Sequence, residues 1–408
     1  MIDSLVVWAR DYKIDGFRFD LMAHQPKDAM LKARDAVHAV DPDNYFYGEG
    51  WNFGEVANNQ RFVQASQLEL AGSEIGTFTD RLRDAVRGGA FNASGADIRK
   101  SQGIGNGLAT HPNELQSKDL SQYYLMADQI RIGLTGNLAN YPLQAYSGEI
   151  KLGKDIPYGG QPAGYTLDPA DTINYVSKHD NQSLWDNNQY RIPFDITTQQ
   201  RVRMQLQSLS FAMFAQGIPF IHMGSELLRS KGFLRDSYDY GDWFNKVDFA
   251  KQSNNYGTGL PPAEKDQQNW QMIKEVLAKN EERDHVSPKD IAFSSAVFTD
   301  YVKLRMASPL FRLTTARDVI KRVRFHNTGK EQQLGLFAMS IEGDEDAKSL
   351  MVIINTSAQS IELPFDGANH YTLHPIQQRG YDSVVKTSKI QKNNFLVPAL
   401  TTAVFIKK

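Results

Sequence analysis

Short apolar runs alternate with amphipathic stretches along the first three quarters of the chain. Runs long enough for single strands, bounded by polar or turn residues, lie at residues 14–20, 45–49, 76–78, 172–176 and 218–223. Apolar residues at helical spacing predict helices at residues 2–12, 26–40, 81–86 and 200–215. Strands that alternate with helices are typical of an α/β fold with a parallel sheet and helices outside it.

The pattern changes near Val319. β-type runs at residues 321–325, 335–340, 350–354 and 396–406 are separated by turn residues, and helical spacing is weak. This pattern favours an antiparallel β-sandwich that follows the α/β part. We therefore expect two domains, residues 1–318 and 319–408. Two polar stretches, residues 88–115 and 246–288, are interpreted as loops or insertions.

Composition removes several classes of function. A net charge of -2 over 408 residues offers no positive field for nucleic acid or an anionic membrane. No apolar run approaches the roughly 20 residues that a membrane-spanning helix needs. The absence of cysteine excludes disulfides, thiolate metal sites and thiol nucleophiles.

The first chemically informative segment is DGFRFDLM at residues 15–22. Side chains alternate along a strand, so Arg18 and Asp20 share one face while Phe17 and Phe19 share the other. A guanidinium beside Asp20 favours the ionised carboxylate, which is the form that attacks a sugar carbon. An Arg–Asp pair that only stabilises the sheet is an equally open interpretation at this point.

The second segment is YFYGEGW at residues 45–51. Glu49 ends an aromatic strand, and flanking glycines would let a ligand approach the backbone. Aromatic, partly desolvated surroundings would raise the pKa of Glu49, which suits a general acid. Trp51 offers an apolar face for a sugar ring. Taken alone, a strand-end Glu that caps the next turn is the commoner case.

The third segment, residues 174–185, ends a strand in His179, Asp180 and Asn181. A turn built on Asp-Asn would explain this segment by itself. Three strand-end carboxylates in polar or aromatic company are harder to explain structurally. Two carboxylates that flank a glycosidic bond are the minimum for its hydrolysis, and a separation of roughly 5 Å gives retention of configuration.

Together these segments resemble the signature regions of the α-amylase superfamily, and within it those of type I pullulanases and limit dextrinases. The matching runs are GFRFDLM (16–22), GEGW (48–51), GTFTDRLRDAVRG (76–88), VSKHDNQSLWD (176–186), GSELLRSK (224–231) and RDSYDYGDWFN (235–245). The resemblance implies a starch-debranching hydrolase that cleaves α-1,6-glucosidic bonds in pullulan, amylopectin and limit dextrins. An α-glucan polysaccharide or oligosaccharide is the implied substrate.

The resemblance also implies roles for individual residues. Asp20 would be the nucleophile, Glu49 the general acid/base and Asp180 the third carboxylate of a retaining double displacement. Arg18 and His179 would be their partners in binding substrate. Weaker candidates for substrate contacts, for which a structural role is equally open, are Trp51, Asn181, Trp185 and Arg229. The chemistry implies no cofactor, and the family leaves room for a structural calcium ion.

The family fold is a (β/α)8 TIM barrel, of which residues 14–20 would be the fourth strand. On that count the chain supplies strands four to eight and then the β-sandwich, so we expect the isolated chain to be loosely folded and weakly active. The alternatives are an isoamylase or glucanotransferase of the same superfamily, or a non-catalytic truncated remnant. No compartment follows from this chain, although a complete parent could be secreted or displayed at the cell surface.

Overall fold

The computed structural model of the chain, which describes residues 1–89, 92–280 and 285–408, combines helices with several sheets. The strands are β1 (Gly16–Phe19), β2 (Tyr45–Gly48), β3 (Gly76–Phe78), β4 (Pro142–Gln144), β5 (Ile150–Leu152), β6 (Pro157–Tyr158), β7 (Gln161–Pro162), β8 (Thr172–Asn174), β9 (Ile218–Pro219), β10 (Val323–His326), β11 (Leu336–Ile341), β12 (Leu350–Asn355), β13 (Ile361–Pro364), β14 (Tyr371–Leu373), β15 (Lys389–Gln391), β16 (Asn394–Val397) and β17 (Thr401–Lys407).

The α-helices flank these strands along the whole chain. They are α1 (Ile2–Tyr12), α2 (Lys27–His38), α3 (Asp80–Arg87), α4 (Ala96–Arg99), α5 (Ser121–Leu134), α6 (Leu184–Arg191), α7 (Thr198–Phe214), α8 (Gly241–Asn245), α9 (Ala263–Asp266), α10 (Trp270–Asn280), α11 (Pro288–Ala307), α12 (Ala316–Arg322) and α13 (Pro375–Arg379). In the described part of the chain, none has the length and apolar character that crossing a bilayer requires.

A five-stranded parallel sheet carries the three motifs. Its strands lie in the order β1-β2-β3-β8-β9, so each new strand is added beside the previous one. Two small antiparallel hairpins, β4–β5 and β6–β7, are inserted between β3 and β8. Since all five strands run the same way, the residues that follow them meet at one edge of the sheet.

Aromatic packing fixes which face of β1 is buried under helices. Phe17 and Phe19 both lie against Phe46 of β2, and their ring centroids are 5.4 and 5.5 Å, respectively, from that of Phe46. These rings join the cluster that α1 and α2 cover, which includes Met30 and Val37. Arg18 points to the opposite face, where its guanidinium lies 5.7 Å from the ring of Phe78. The alternation predicted from the sequence is thus the one in the structure.

The carboxyl-terminal residues form two antiparallel sheets. One has the strand order β10-β11-β12-β17-β14 and the other β13-β16-β15. Met351, Phe395 and Phe405 belong to a separate apolar cluster between them. Among the described strands, none of β10–β17 pairs with the parallel sheet. The expected division between residues 318 and 319 falls inside α12, so a helix rather than a loose linker joins the two parts.

The largest apolar cluster joins helices to the carboxyl-terminal sheet. Phe211 of α7 packs edge-on against Phe337 of β11, with centroids 5.3 Å apart. Beside this contact, both Nη atoms of Arg203 bond the carboxylate of Asp382, at 3.2 and 2.9 Å. Arg203 Nε also donates to the carbonyl of Leu400. The helix that precedes β9 is therefore anchored to the carboxyl-terminal sheets by both apolar and charged contacts.

Several elements differ from the sequence prediction. Residues 218–223 contain only the two-residue β9, and residues 396–406 divide into parts of β16 and β17. The expected loop 246–288 contains α9 and α10, while its residues 281–284 lie outside the described ranges, as do residues 90–91 of the stretch 88–115. Helix α11 was missed although Ser287, Pro288 and Asp290 form a capping box with Pro in the first turn.

The Arg203–Asp382 pair gives a test of this anchoring. We expect Arg203→Met to lower the free energy of unfolding by about 3 kcal/mol, because it leaves a largely buried carboxylate without its cation. Chemical denaturation followed by circular dichroism measures the change. As a matched control, Lys32→Met removes an exposed pair with Asp28 and should change the free energy by less than about 0.5 kcal/mol. Equal effects of the two substitutions would contradict the anchoring role.

Candidate active site

The loops that follow β1, β2 and β8 bring three carboxylates together. Asp20 directly follows β1, Glu49 directly follows β2, and Asp180 lies six residues after the end of β8. One oxygen of Asp20, one oxygen of Glu49 and one ring nitrogen of His179 all lie within 4.8 Å of one another. His179 Nε2 is also 3.3 Å from Asp180 Oδ1. The residues singled out in three distant segments therefore form one cluster.

Two cations lie between these carboxylates. Arg18 places Nη1 2.5 Å from Asp20 Oδ1 and Nη2 2.9 Å from Glu49 Oε1. Lys178 places Nζ 2.6 Å from Glu49 Oε1 and 2.7 Å from Asp180 Oδ2. Like charges at this separation repel strongly in a partly desolvated site, and the interposed cations offset that repulsion.

Lys178 was not among the residues selected from the sequence. Its side chain is about 5% exposed, and a lysine is almost never buried without a charged partner. The available signal was its position two residues before Asp180, the same spacing that relates Arg18 to Asp20. In β1 that spacing is a strand alternation, whereas Lys178 lies beyond the end of β8, so the two cations reach the site by different local geometries.

The surroundings of Glu49 differ from the sequence prediction. Its side chain is buried, but the carboxylate accepts from Arg18, Lys178 and the main-chain nitrogen of Leu21. It is thus held by polar donors rather than by the aromatic rings expected. The flanking glycines also serve packing, since a Cβ on Gly48 would lie 2.5 Å from the carbonyl oxygen of Phe19. A ligand is not needed to explain them.

Asp20, His179 and Asp180 form the open side of the cluster. Their side chains are about half exposed, whereas Glu49 lies beneath them. Burial alone would raise the pKa of the Asp180 carboxyl, but Lys178 and its neighbours hold that pKa below its usual range. Burial lowers the pKa of the His179 imidazole, and Lys178 and Arg18 lower it further. Near neutral pH the site therefore presents an ionised Asp180 beside a neutral imidazole.

A buried lysine supports the loop that carries these groups. Lys231 Nζ donates to the carbonyls of His179 (3.2 Å), Asn181 (2.9 Å) and Arg235 (2.9 Å). Burial lowers the pKa of Lys231 to about 8. The turn behind Lys231 is held by Asp186, whose carboxylate accepts from the main-chain nitrogen of Lys231 at 2.7 Å. Neither residue was selected from the sequence, where each lies within a motif run without visible chemistry.

The four weaker candidates for substrate contacts lie in different surroundings. Trp51 is partly exposed near the site, with the Arg83 guanidinium 5.8 Å from its ring. Asn181 adopts a left-handed backbone conformation directly after Asp180. For Trp185, where substrate contact and a structural role were equally open, the structure favours the structural role, because α6 turns its ring into the main apolar cluster, where it is fully buried. Arg229 donates to the carbonyls of Met223 and Asn245, which joins two loops.

The cluster is a poor cation site. Asp20, Glu49 and His179 are the only grouping of three metal-ligand residue types found within the described ranges. Arg18 and Lys178 already bond the carboxylate oxygens that a hard cation such as calcium would use. The arrangement instead suits a neutral, hydroxyl-rich ligand, which can accept from the partly exposed Arg18 and donate to the carboxylates of Asp20 and Asp180. The expected structural calcium ion stays a prediction.

Comparison with known proteins identifies related sequences and folds. Residues 251–408 match the family model described as alpha-1,6-glucosidases, pullulanase-type, C-terminal. Pullulanase of Klebsiella pneumoniae is 44% identical over 98% of this chain, and chloroplastic pullulanase 1 of Arabidopsis thaliana is 39% identical over 99% of it. The chain spans 37% and 44% of the lengths of these two relatives.

Solved structures give the same result. PulA from Klebsiella oxytoca superposes on the whole chain with a TM-score of 0.95 at 43% identity, and the chain covers 39% of it. The maltotriose complex of PulA from Klebsiella pneumoniae superposes with a TM-score of 0.93 at 42% identity, and 44% of that protein is covered. Both sequence and fold thus match the chain, over its whole length, to the carboxyl-terminal part of pullulanases.

Proposed function

We propose that this chain supplies the catalytic carboxylates of a starch-debranching hydrolase that cleaves α-1,6-glucosidic bonds in pullulan, amylopectin and limit dextrins. The observation that carries the proposal is the approach of an Asp20 oxygen to a Glu49 oxygen within 4.8 Å, beside His179. Carboxyl groups about 5 Å apart suit a retaining mechanism, whereas inversion needs a wider gap to accommodate water. The match of residues 251–408 to the family model of pullulanase-type alpha-1,6-glucosidases supports the α-1,6 linkage.

In the first step, an Asp20 oxygen bonds to the anomeric carbon as the bond to the glycosidic oxygen breaks. Glu49 transfers its proton to that departing oxygen, which leaves as a hydroxyl. In the second step, a water molecule transfers a proton to Glu49 while the water oxygen bonds to the anomeric carbon. The bond between Asp20 and that carbon breaks, which frees the Asp20 carboxylate. Arg18 lies within hydrogen-bonding distance of both Asp20 and Glu49, so it orients the nucleophile and the acid relative to each other.

Asp180 and His179 act on the sugar rather than on the reacting bond. An ionised Asp180 accepts hydrogen bonds from ring hydroxyls and attracts the positive charge that develops at the anomeric carbon. The neutral His179 imidazole can donate to one hydroxyl and accept from another. That a Klebsiella pneumoniae relative forms a complex with maltotriose supports an α-glucan as the ligand.

The same proposal includes the finer architecture. The parallel sheet would be strands four to eight of a (β/α)8 barrel, and residues 319–408 would be a β-sandwich domain beside it. The unbroken order of the five strands supports this interpretation. In the described part of the chain, β1 and β9 each have one strand neighbour, and Trp8 and Tyr12 of α1 are exposed. Further strands would cover such edges in a closed barrel.

The carboxylate roles can be tested in a chimera in which residues 1–408 replace the matching part of Klebsiella pneumoniae pullulanase. We expect this chimera to release maltotriose from pullulan, because α-1,6 cleavage of that polymer yields it. Asp20→Asn should lower kcat by about 10⁴-fold or more, since it removes the nucleophile. Glu49→Gln should abolish pullulan cleavage but spare the first step on a glycosyl fluoride, whose leaving group needs no proton.

The matched control is Asp28→Asn, which changes an exposed carboxylate of α2 and should leave kcat unchanged. Products other than maltotriose would favour an isoamylase or a glucanotransferase. A correctly folded chimera without any turnover would favour the non-catalytic alternative and overturn the proposal. A separate assay of the 408-residue chain measures how much activity it has alone.

Lys178 provides a second test. In the chimera, Lys178→Met should lower kcat on pullulan by roughly 10- to 100-fold, because Glu49 and Asp180 lose the cation between them. Since Lys178 holds the pKa of Asp180 down, its removal should raise that pKa and move the acidic limb of the pH–rate profile to higher pH. Lys178→Arg should keep the limb near its original position, and Lys32→Met should change nothing. An unshifted limb in Lys178→Met would refute this role.

A further inference from the structure

A small cavity lies beside the loop that follows Asp180. It has a volume of about 20 Å³, is partly open to solvent, and is lined by Arg83, Asp84, Arg87, Gln182 and Arg191, among others. A cavity of that volume holds about one water molecule or one ion of similar size. The lining is unusual for so small a space, because three guanidinium groups share it.

The charges around this cavity do not balance. Asp84 is the one carboxylate among its described lining residues, and it pairs with Arg83 Nε at 2.7 Å. The same carboxylate accepts a hydrogen bond from Tyr158. A second nearby carboxylate, that of Asp186, accepts hydrogen bonds from the turn at residues 230–233 and not from these arginines. Two of the three arginines therefore have no carboxylate in contact within the described ranges.

Those two arginines bond uncharged groups instead. Arg87 donates to the carbonyls of Val176 and Gln182. Arg191 donates to the carbonyls of Ser101 and Gly89 and to the side chain of Asn187. Each guanidinium carries five N–H groups, so donors remain on both.

Burial makes the imbalance costly. Arg87 and Arg191 are only 5% and 3% exposed. Burial, together with a neighbouring arginine in each case, lowers the pKa of Arg87 to about 10 and that of Arg191 to about 9. Removing paired charges from water is already expensive, and a buried cation without a counter-ion is more so. A bound negative charge would lower this cost.

We propose that the cavity binds one small monovalent inorganic anion of the size of chloride, held by Arg87 and Arg191 with Arg83 beside them. The volume, close to that of one water molecule, favours a monatomic ion over a carboxylate or phosphate group. A water molecule would fit, but it would leave the excess positive charge in place. A monatomic anion matches both the size and the charge of this cavity.

The anion would act on the candidate active site through Arg87. The two carbonyls that Arg87 holds, those of Val176 and Gln182, bracket the segment that contains Lys178, His179 and Asp180. An anion that fixes the guanidinium thereby fixes both ends of this segment. This consequence for catalysis rests on the proposed function, whereas the binding itself does not.

Binding is tested on the 408-residue chain without substrate. Thermal unfolding is followed as sodium chloride replaces sodium gluconate at constant ionic strength. We expect Tm to rise by about 2 °C or more and then saturate, because an ion that binds only the folded state stabilises it by mass action. Gluconate is too large to enter. Anomalous diffraction from crystals grown in bromide locates the ion, which should lie between the three guanidinium groups.

Arg305→Met is the matched control for Arg87→Met. Arg305 is another buried arginine that donates only to main-chain carbonyls, those of Met213, Ala215 and Gly217, and it does not line the cavity. Both substitutions should lower Tm. Arg87→Met should also lose the chloride response, while Arg305→Met should keep it.

Three results would overturn the proposal: no saturable chloride response, bromide absent from the cavity, or an undiminished response in Arg87→Met. If Arg87→Met does not fold, the bromide position and the chloride titration of the unchanged chain still show whether the cavity binds an anion. Neither measurement involves turnover. A chain that binds the anion but fails to hydrolyse pullulan in the chimera would refute the proposed function and leave this inference standing.

Discussion

The candidate site depends on positive charge placed between acidic groups. Three carboxylates converge at one edge of a parallel sheet, and in a partly desolvated place their like charges would repel one another. Arg18 and Lys178 offset this repulsion, since each bonds two of the three carboxylates. Arg18 joins the first two loops of the site and Lys178 joins the second to the third. The cations thus set the relative positions of the acidic groups.

The loops need further support because short strands alone position them loosely. Strand β8 ends at Asn174, so His179 and Asp180 depend on contacts outside the sheet. Two buried cations supply those contacts. Lys231 donates to three carbonyls, and Arg87 donates to the carbonyls of Val176 and Gln182, which lie on either side of the segment that carries His179 and Asp180. Buried cations bonded to carbonyls are expensive, so their use here indicates that loop geometry matters more than stability at this place.

Sequence patterns predicted the part of the site that strand alternation controls. The spacing of Arg18 and Asp20 placed both on one face, and the order of strands and helices placed the three carboxylates at one edge. Side chains fixed by long-range contacts were missed. Lys178 has only its two-residue spacing from Asp180, which a solvated lysine can share, and no local pattern shows that α6 buries Trp185. The glycine beside Glu49 is explained by contact between strands, which no local pattern shows.

The central claim is that Asp20 forms a bond to the sugar. A glycosyl fluoride deactivated at the sugar ring slows the second step, so a covalent intermediate accumulates on a retaining enzyme. Peptide mass spectrometry of the treated chimera should find one added glycosyl group, on the peptide that contains Asp20, and none in Asp20→Asn. A glycosyl group on another residue, or turnover of the fluoride with inversion and no adduct, would contradict the account.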